Sequence, residues 1–331
     1  MTSVNPARAP QSPDPFEEYV RERLDVIEDA LADSATGRMP FVTEAARHVI
    51  SAGGKRFRPL LVVLASALGV PRSEEDLTRS ALVMELTHVA SLYHDDVMDE
   101  ADLRRGAPSA NSVWDNTIAI LVGDFLFARA SDLVADLGTE FVQLQARTFA
   151  RLVEGQIAET IGPTEGQDPV QAYLRVIADK TGSLIAASTM FGGMVAGLDE
   201  GQIAALAAYG EELGVVFQLS DDLIDVTSDS TGKQPGTDLR EGIPTLPTLL
   251  LAEYEDDESR ELLALIRGDL SDDAVLTDAL ARLRAHPVIE RARGEVARRA
   301  EVARGHLADL PEGAARDALS ELCDTVVTRS A

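Results

Sequence analysis

The chain has 331 residues, of which 45% are hydrophobic and 26% are charged, and this composition excludes global disorder and fibrous structure. Its 56 acidic and 30 basic residues give a formal net charge of −26, which argues against a nucleic-acid partner because phosphates would be repelled. Cys323 is the only cysteine, so intrachain disulfides and thiolate zinc clusters are excluded and a reducing, cytoplasmic location is expected.

Residues 1–15 are rich in Pro and Ser and have no apolar core, so they are expected to form a flexible N-terminal tail rather than a signal peptide. The remaining residues, 16–331, are expected to form a single domain. No apolar run approaches the roughly 20 residues that span a bilayer, so no transmembrane segment is expected.

Apolar residues recur at helical spacing along most of the chain, whereas alternating strand patterns are nearly absent. Only 5% of the residues are aromatic, and Ala and Leu are abundant, which suits closely packed helices. The pattern predicts an all-α protein, a single large helical bundle. Its helices are predicted at roughly residues 16–34, 41–52, 58–69, 74–99, 110–136, 138–160, 168–179, 181–197, 201–227, 245–255, 258–269, 273–283 and 287–328, the last one broken.

Turn-forming residues predict loops at residues 69–71, 162–168 and 228–247. Part of the third loop, residues 228–242, contains Gly232, Lys233, Pro235 and Gly236 directly after an aspartate cluster. This part is therefore a candidate flap over a charged ligand. A plain surface connection is an equally good interpretation of the loop alone.

One short pattern, Asp-Asp-x-x-Asp, occurs twice, each time at the end of a long apolar helix. The first copy is Asp95, Asp96 and Asp99, and the second is Asp221, Asp222 and Asp225. Residues four apart share a helical face, and the C-terminal end of the helix dipole adds to their mutual repulsion, so each cluster is destabilising unless cations bind. Mg²⁺ typically bridges one or two carboxylates to substrate phosphates, so the clusters predict a magnesium-bound diphosphate.

A bound diphosphate also requires basic side chains, and the candidates are Arg104, Arg105, Lys180 and Lys233. A single acidic triplet in so acidic a protein is more often a solvated helix end, but two copies that end apolar helices favour a site. Neither copy has the glycine of a calcium-binding EF-hand loop, and Gly232-Lys233 lacks the remaining residues of a Walker loop.

The chain resembles the trans-isoprenyl diphosphate synthases, or polyprenyl synthetases, of medium and long product length, over residues 16–328. The resemblance rests on five motifs: Gly-Gly-Lys-Arg-Phe-Arg-Pro at 53–59, His-Asp-Asp-Val-Met-Asp-Glu-Ala-Asp-Leu-Arg-Arg-Gly at 94–106, Lys-Thr-Gly at 180–182, Phe-Gln-Leu-Ser-Asp-Asp-Leu-Ile-Asp at 217–225, and Gly-Thr-Asp-Leu-Arg-Glu-Gly at 236–242. Class I terpene cyclases share the first aspartate motif but carry an Asn-Ser-Glu type triad as the second.

The resemblance implies an all-helical fold in which the two aspartate motifs face each other across the mouth of a deep central cavity. All six aspartates are then metal ligands for about three Mg²⁺ ions, which Mn²⁺ could replace. The allylic diphosphate is expected to contact Arg104, Lys180 and Lys233, with Thr181 and Gln218 lining its site. Isopentenyl diphosphate is expected to contact Lys55, Arg58, Arg105 and His88.

His88 has a satisfied core histidine as its alternative interpretation, and His94 is expected to support the aspartates rather than bind metal. Gln156 and Glu159 match a weaker family position near the metals. The implied reaction is a head-to-tail, 1′–4 condensation in which the released pyrophosphate accepts the final proton, so no protein base is expected. Ile243 stands where many relatives have a lysine, so one diphosphate contact is expected to be absent.

Product length is expected to depend on Ala90 and Ser91, which stand five and four residues before the first aspartate, where short-chain relatives place bulky aromatics. Their small side chains predict a product of about C35 to C45, unless Phe125, Phe127, Met190 or Phe191 closes the tunnel. Close helix packing is an equal explanation of both residues, and a C20 product remains an alternative.

The resemblance further implies a homodimer and a transient membrane contact during product release. A noncatalytic partner subunit of a heteromeric synthase is the competing function, followed by a terpene cyclase. Such partner subunits usually lack intact aspartate motifs, whereas both motifs are intact in this chain.

Overall fold

The computed structural model describes residues 14–227 and 235–329 of the chain. Most of the predicted N-terminal tail, as well as Gly232 and Lys233 of the candidate flap, lies outside these residues. Within them the chain forms α1 (Pro15–Ser34), α2 (Pro40–Ser51), α3 (Phe57–Ser66), α4 (Glu74–Met98), α5 (Ala110–Val113), α6 (Asn116–Leu137), α7 (Thr139–Ile161), α8 (Pro169–Ile177), α9 (Ser183–Val195), α10 (Glu200–Thr227), α11 (Thr237–Glu241), α12 (Leu246–Leu251), α13 (Asp257–Ile266), α14 (Asp273–Ala285), α15 (Val288–Gly305) and α16 (Ala314–Thr328).

Three shorter elements interrupt the helices. A π-helical segment, Ala178–Gly182, joins α8 to α9, and a 3₁₀ turn, His306–Asp309, follows α15. Strands β1 (Leu103–Arg104) and β2 (Ala107–Pro108) form an antiparallel hairpin with Leu103 opposite Pro108. The all-α prediction is confirmed, since these two-residue strands make the only sheet within the described residues.

Local capping explains where several of the helices begin. The Ser73 side chain accepts the Asp76 N–H at the start of α4, whose first turn is acidic and so complements the helix dipole. Asp115 and Asp168 cap α6 and α8 in the same way. Asp115 also explains why the helix predicted from residue 110 is divided in two.

The core is organised around α9, which is buried on nearly every face. Its Leu184 and Phe191 pack in one hydrophobic cluster with α4 and α6, whereas its Ile185 packs in a second cluster with α10 and α15. Gly214 of α10 permits a close approach to the π-helical segment that precedes α9, because a Cβ at this position would lie 2.5 Å from the Gly182 Cα. Both helices that carry aspartate motifs, α4 and α10, therefore pack against α9.

No helix in the described ranges combines the length and apolar character needed to cross a bilayer.

Candidate active site

The first aspartate motif occupies the last turn of α4. Asp95 is partly buried, and this burial raises the pKa of its carboxyl to about 6 against the attraction of Lys180. Asp99 is exposed at the end of the helix, where its N–H donates to the Asp95 carbonyl at 2.8 Å. Asp95 and Asp99 are thus the carboxylates of this motif that a ligand can reach.

Asp96, the middle residue of the motif, is fully buried. Arg104 Nε donates to its Oδ1 at 2.6 Å, while its Oδ2 has no hydrogen-bond partner among the described residues. Burial raises the pKa of Asp96, and Arg104 opposes the rise. Arg104, which was expected to contact the allylic diphosphate, is therefore engaged with an aspartate here.

Arg105 follows on the β-hairpin with a left-handed backbone, φ 55°. Its Nη1 donates to the Val49 carbonyl at 3.1 Å and also to the Gly53 carbonyl. Gly54 makes room for this side chain, since a Cβ there would lie 2.8 Å from the guanidinium carbon. Gly53 and Gly54, in the motif at residues 53–59, therefore accommodate Arg105, which belongs to the motif at residues 94–106.

The second aspartate motif occupies the last turns of α10 and includes a buried middle residue as well. Asp222 is 2% exposed and accepts hydrogen bonds from Gln218 Nε2 at 3.3 Å, from the Leu246 N–H at 3.2 Å and from the Tyr173 hydroxyl. Burial raises the pKa of Asp222 to about 6, and these three donors oppose the rise. These contacts make Asp222 a structural centre of the motif.

Asp221 and Asp225 are less buried than Asp222. Asp221 accepts a hydrogen bond from Arg329 at 2.9 Å, although the two residues are 108 apart in sequence. The Asp225 carboxylate accepts the N–H groups of Thr237 and Asp238 at 3.3 and 3.2 Å and so caps α11. The short helix α11 was missed by the sequence analysis, because its cap lies on another helix.

The π-helical segment brings the two motifs together. Lys180 Nζ contacts Glu159 at 2.5 Å and attracts Asp95 of the first motif. The neighbouring Thr181 hydroxyl lies 3.4 Å from Gln218 Oε1, one turn before Asp222 in the second motif. The π-helical segment, where α10 meets the N-terminal end of α9, therefore lies within electrostatic range of the first motif as well.

A cavity of about 370 Å³ adjoins this meeting point, and its wall includes Lys180, Thr181, Gln218 and Asp222. Ile243, which was expected to stand where many relatives have a lysine, lies on the same wall.

A cluster of basic side chains forms the other part of the site. Burial lowers the pKa of Arg58 to about 10, and its buried Nε has no hydrogen-bond partner in the described part of the chain. Burial, followed by repulsion from Arg58 and Arg105, holds the pKa of His88 well below its usual range, so this imidazole is neutral. Lys55 is exposed at the edge of the cluster, close to both Arg329 and Asp221. The cluster has the character of an anion site.

The two candidate length-determining residues face the protein interior. Ala90 is fully buried and Ser91 is 8% exposed. A Cβ at Gly123 of α6 would lie 3.2 Å from the Ala90 carbonyl oxygen, so α6 approaches α4 closely at this level. His94, one turn later, directs Nε2 towards the Ile120 carbonyl at 3.1 Å and lies 3.5 Å from Asp124 Oδ1, so its ring contacts α6.

The described residues contain no preformed group of three His, Cys, Asp or Glu side chains that could enclose a metal. Mg²⁺ typically binds one or two carboxylates and completes its shell with water and substrate phosphates. The exposed Asp99 and the partly buried Asp95 present carboxylates of the kind that Mg²⁺ prefers, so the residues fit the ion.

Residues 39–283 match the family described as polyprenyl synthetase. The chain belongs to the polyprenyl synthetase family. The predicted family and the predicted enzyme class, prenyltransferase, are thereby confirmed. The synthetase is 47% identical to a nonaprenyl diphosphate synthase of Mycobacterium tuberculosis over 87% of each chain.

Solved structures also resemble this synthetase. Its fold matches a geranylgeranyl pyrophosphate synthase of Corynebacterium glutamicum, complexed with calcium and isoprenyl diphosphate, with a TM-score of 0.86 and 39% identity over 96% of this chain and 98% of that one. It matches a decaprenyl diphosphate synthase of Rhodobacter capsulatus with a TM-score of 0.87 and 34% identity over 96% and 98% of the two chains.

Four residues at the site were not identified from the sequence: Arg56, Glu85, Tyr173 and Arg329. Tyr173 and Arg329 reach the second aspartate motif from other helices, and no local pattern marks either one. Arg56 lies inside the motif at residues 53–59, so that motif could have identified it.

Proposed function

We propose that this polyprenyl synthetase condenses isopentenyl diphosphate with an allylic diphosphate, head-to-tail, and releases pyrophosphate. The observation that carries the proposal is the position of Lys180 and Thr181, which adjoin Asp95 of the first motif and Gln218 beside the second, near a cluster of basic side chains. Four carboxylates that are less buried than Asp96 and Asp222, those of Asp95, Asp99, Asp221 and Asp225, would hold about three Mg²⁺ ions, for which Mn²⁺ could substitute. The bound ions would supply Lewis-acid stabilisation of charge on the leaving diphosphate.

The buried aspartates, Asp96 and Asp222, have a positioning role in this proposal. Asp96 fixes Arg104 beside the first motif, and Asp222 fixes Gln218 and Tyr173 beside the second. A buried carboxylate with several donors is rigid, so it can orient its neighbours without contacting the substrate itself.

Each basic side chain of the site is proposed to bind one of the two substrates. Lys180 lies between the motifs and, with Arg104 and Lys233, would contact the allylic diphosphate near Thr181 and Gln218. Arg58 has an unsatisfied buried Nε that the isopentenyl diphosphate would complete, together with Lys55, Arg105 and the neutral His88. Arg105 is already held by the Val49 carbonyl before the substrate arrives, which would reduce the cost of reorganisation.

The deprotonation step needs no protein base, because the released pyrophosphate can accept the proton. Helical walls around the reacting carbons would exclude water and so protect the allylic cation from hydrolysis.

The product is proposed to be an all-trans polyprenyl diphosphate of about C35 to C45, on the basis of the small side chains at Ala90 and Ser91. A C20 product is the second candidate, favoured by the 39% identity to the geranylgeranyl pyrophosphate synthase. Chromatography of the products separates the two possibilities directly.

A homodimer is proposed, with the neighbouring helices α6 and α7 as its interface. These helices expose the apolar side chains of Leu121, Val142, Val153 and Ile157, an arrangement typical of surfaces that pair. A cytoplasmic location with transient membrane contact during product release completes the proposal. Light scattering that gives the mass of a single chain would contradict the dimer.

The test of function is incubation of the purified protein with isopentenyl diphosphate, an allylic primer and Mg²⁺. Chain elongation is expected, and replacing Asp95 or Asp221 by Ala should reduce turnover by roughly 10² to 10³ while circular dichroism stays unchanged. Elongation only after a partner protein is added would identify a subunit of a heteromeric synthase instead. Pyrophosphate release without isopentenyl diphosphate would identify a cyclase.

A further inference from the structure

One buried acidic residue, Glu85, lies among the basic side chains of the proposed isopentenyl diphosphate site. Glu85 is part of α4 and is only 2% exposed. A buried carboxylate is costly unless cations and hydrogen bonds compensate it. Arg56 Nη1 provides such a contact, donating to Glu85 Oε1 at 3.2 Å.

Arg56 itself is held in an unfavourable backbone conformation. It precedes α3 with φ 45°, a left-handed value that costs free energy in any residue other than glycine. Its guanidinium donates to the Ile50 carbonyl at 2.9 Å and to both carboxylate oxygens of Glu28, at 2.5 and 2.7 Å. The side chain thus connects α1, the turn before α3 and α4.

The position of Arg56 fixes the residues on either side of it. Lys55 precedes it and Arg58 follows two residues later, and both are proposed diphosphate contacts. Lys55 and Arg58 share this turn with Arg56, so the contacts that hold the Arg56 side chain also restrain the segment that carries both residues.

Glu85 acts on more than Arg56. Its charge also attracts Arg58 and Arg105, opposing the decrease in pKa that burial causes in both guanidinium groups. Three arginines therefore face one carboxylate, and without it they would repel one another in the unliganded protein.

We propose that Glu85 is a positioning residue for isopentenyl diphosphate, which aligns Arg56, Arg58 and Arg105 through its buried carboxylate without contacting the substrate. This inference rests on the proposed function. In this proposal, Arg56 couples the position of α4 to the turn that carries Lys55 and Arg58.

Glu28 offers a matched control, because it is a second glutamate that binds the same arginine. Its side chain is 50% exposed and it contacts Arg56 from the solvent side, away from α4. The variants Glu85→Gln and Glu28→Gln each remove one negative charge next to Arg56 and keep the shape of the side chain. Only the first removes a charge that acts on Arg58, and Glu85 also acts on Arg105 more strongly than Glu28 does.

Steady-state kinetics should separate the two variants. Glu85→Gln is expected to raise the KM for isopentenyl diphosphate about tenfold, the loss expected for one charge-assisted hydrogen bond. The KM for the allylic substrate and the kcat at saturation should stay near the wild-type values. Glu28→Gln should change the KM for isopentenyl diphosphate by less than about threefold, because its contact is exposed. Glu85→Asp, which keeps the charge, should lie between the wild type and Glu85→Gln.

Calorimetric binding of isopentenyl diphosphate alone gives a readout that does not need turnover, and the same order of affinities is expected. Equal effects of Glu85→Gln and Glu28→Gln on the KM would overturn the inference. So would a Glu85→Gln variant that has a lower unfolding temperature but a wild-type KM. If Glu85→Gln does not fold, a wild-type KM in Glu85→Asp overturns it as well. A wild-type protein that neither binds nor elongates would reject the proposed function, whereas normal elongation with an unchanged variant KM rejects only the role of Glu85.

Discussion

Arg329 Nη2 donates a hydrogen bond to Asp221 Oδ1 at 2.9 Å, so the end of α16 contacts the second aspartate motif. The same guanidinium lies 5.0 Å from the centroid of the Phe217 ring, a cation–π contact that fixes its direction. Lys55 lies close enough for Arg329 to lower its pKa, although burial is the larger cause. Arg329 therefore borders both the second motif and the basic cluster.

Replacing Arg329 by Ala should reduce kcat/KM about tenfold, because a cation beside both diphosphate sites is lost. Arg316→Ala is the matched control, since Arg316 is also close to the C-terminus but contacts Glu312 and the Leu310 carbonyl instead. Steady-state assays of both variants give the comparison. Wild-type kcat/KM in Arg329→Ala would show that the contact has no part in catalysis.

His88→Gln should retain activity, with each KM within about threefold of the wild-type value, because His88 is neutral and Gln can also donate a hydrogen bond. Since burial holds the His88 pKa well below 6.5, its imidazole stays uncharged from pH 6.5 to pH 8. The activity profiles of the two proteins should consequently have the same shape in that range. A lost acidic limb near pH 6.5 in the variant would show that His88 titrates there.

Tyr173→Phe should lower the free energy of unfolding by about 1–3 kcal/mol, because the buried Asp222 loses a hydrogen-bond donor. A double-mutant cycle with Asp222→Asn, measured by thermal unfolding, isolates the energy of this pair. A coupling energy near zero would mean that the tyrosine does not support the carboxylate.

Ala90→Phe should shorten the product if the growing chain passes beside α4. The substitution inserts a ring where Ala90 is fully buried, so a destabilisation of about 1–3 kcal/mol is also expected from overpacking. Chromatography of the products is the measurement, and Ala90→Val provides a smaller step at the same position. An unchanged distribution of products in Ala90→Phe would show that the growing chain does not pass beside Ala90.

Much of the fold was readable from the sequence because its signals are local. Apolar periodicity located α4 and α10, and the structure confirms that both end at their aspartate motifs. Ser73 and Asp168 illustrate why the helix starts were close to correct, since each caps its own helix.

The site was less predictable because it depends on contacts between distant segments. Nothing near Tyr173 or Arg329 indicates that each reaches α10. Lys180 was expected at the site, but its π-helical backbone was not. The π-helical segment packs closely at Gly155 and Gly182, against residues that are distant in the sequence. The burial of Asp96 and Asp222 likewise depends on neighbouring helices rather than on spacing.

The central claim is that two aspartate motifs, distant in sequence, bind one magnesium–diphosphate group between them. Calorimetric titration of the protein with inorganic pyrophosphate, with and without Mg²⁺, tests it most directly. Binding should require Mg²⁺, and Asp95→Asn and Asp221→Asn should each weaken it at least about tenfold, since each removes a ligand charge. Binding that is equally tight without Mg²⁺, or that only one of the two variants weakens, would contradict the claim.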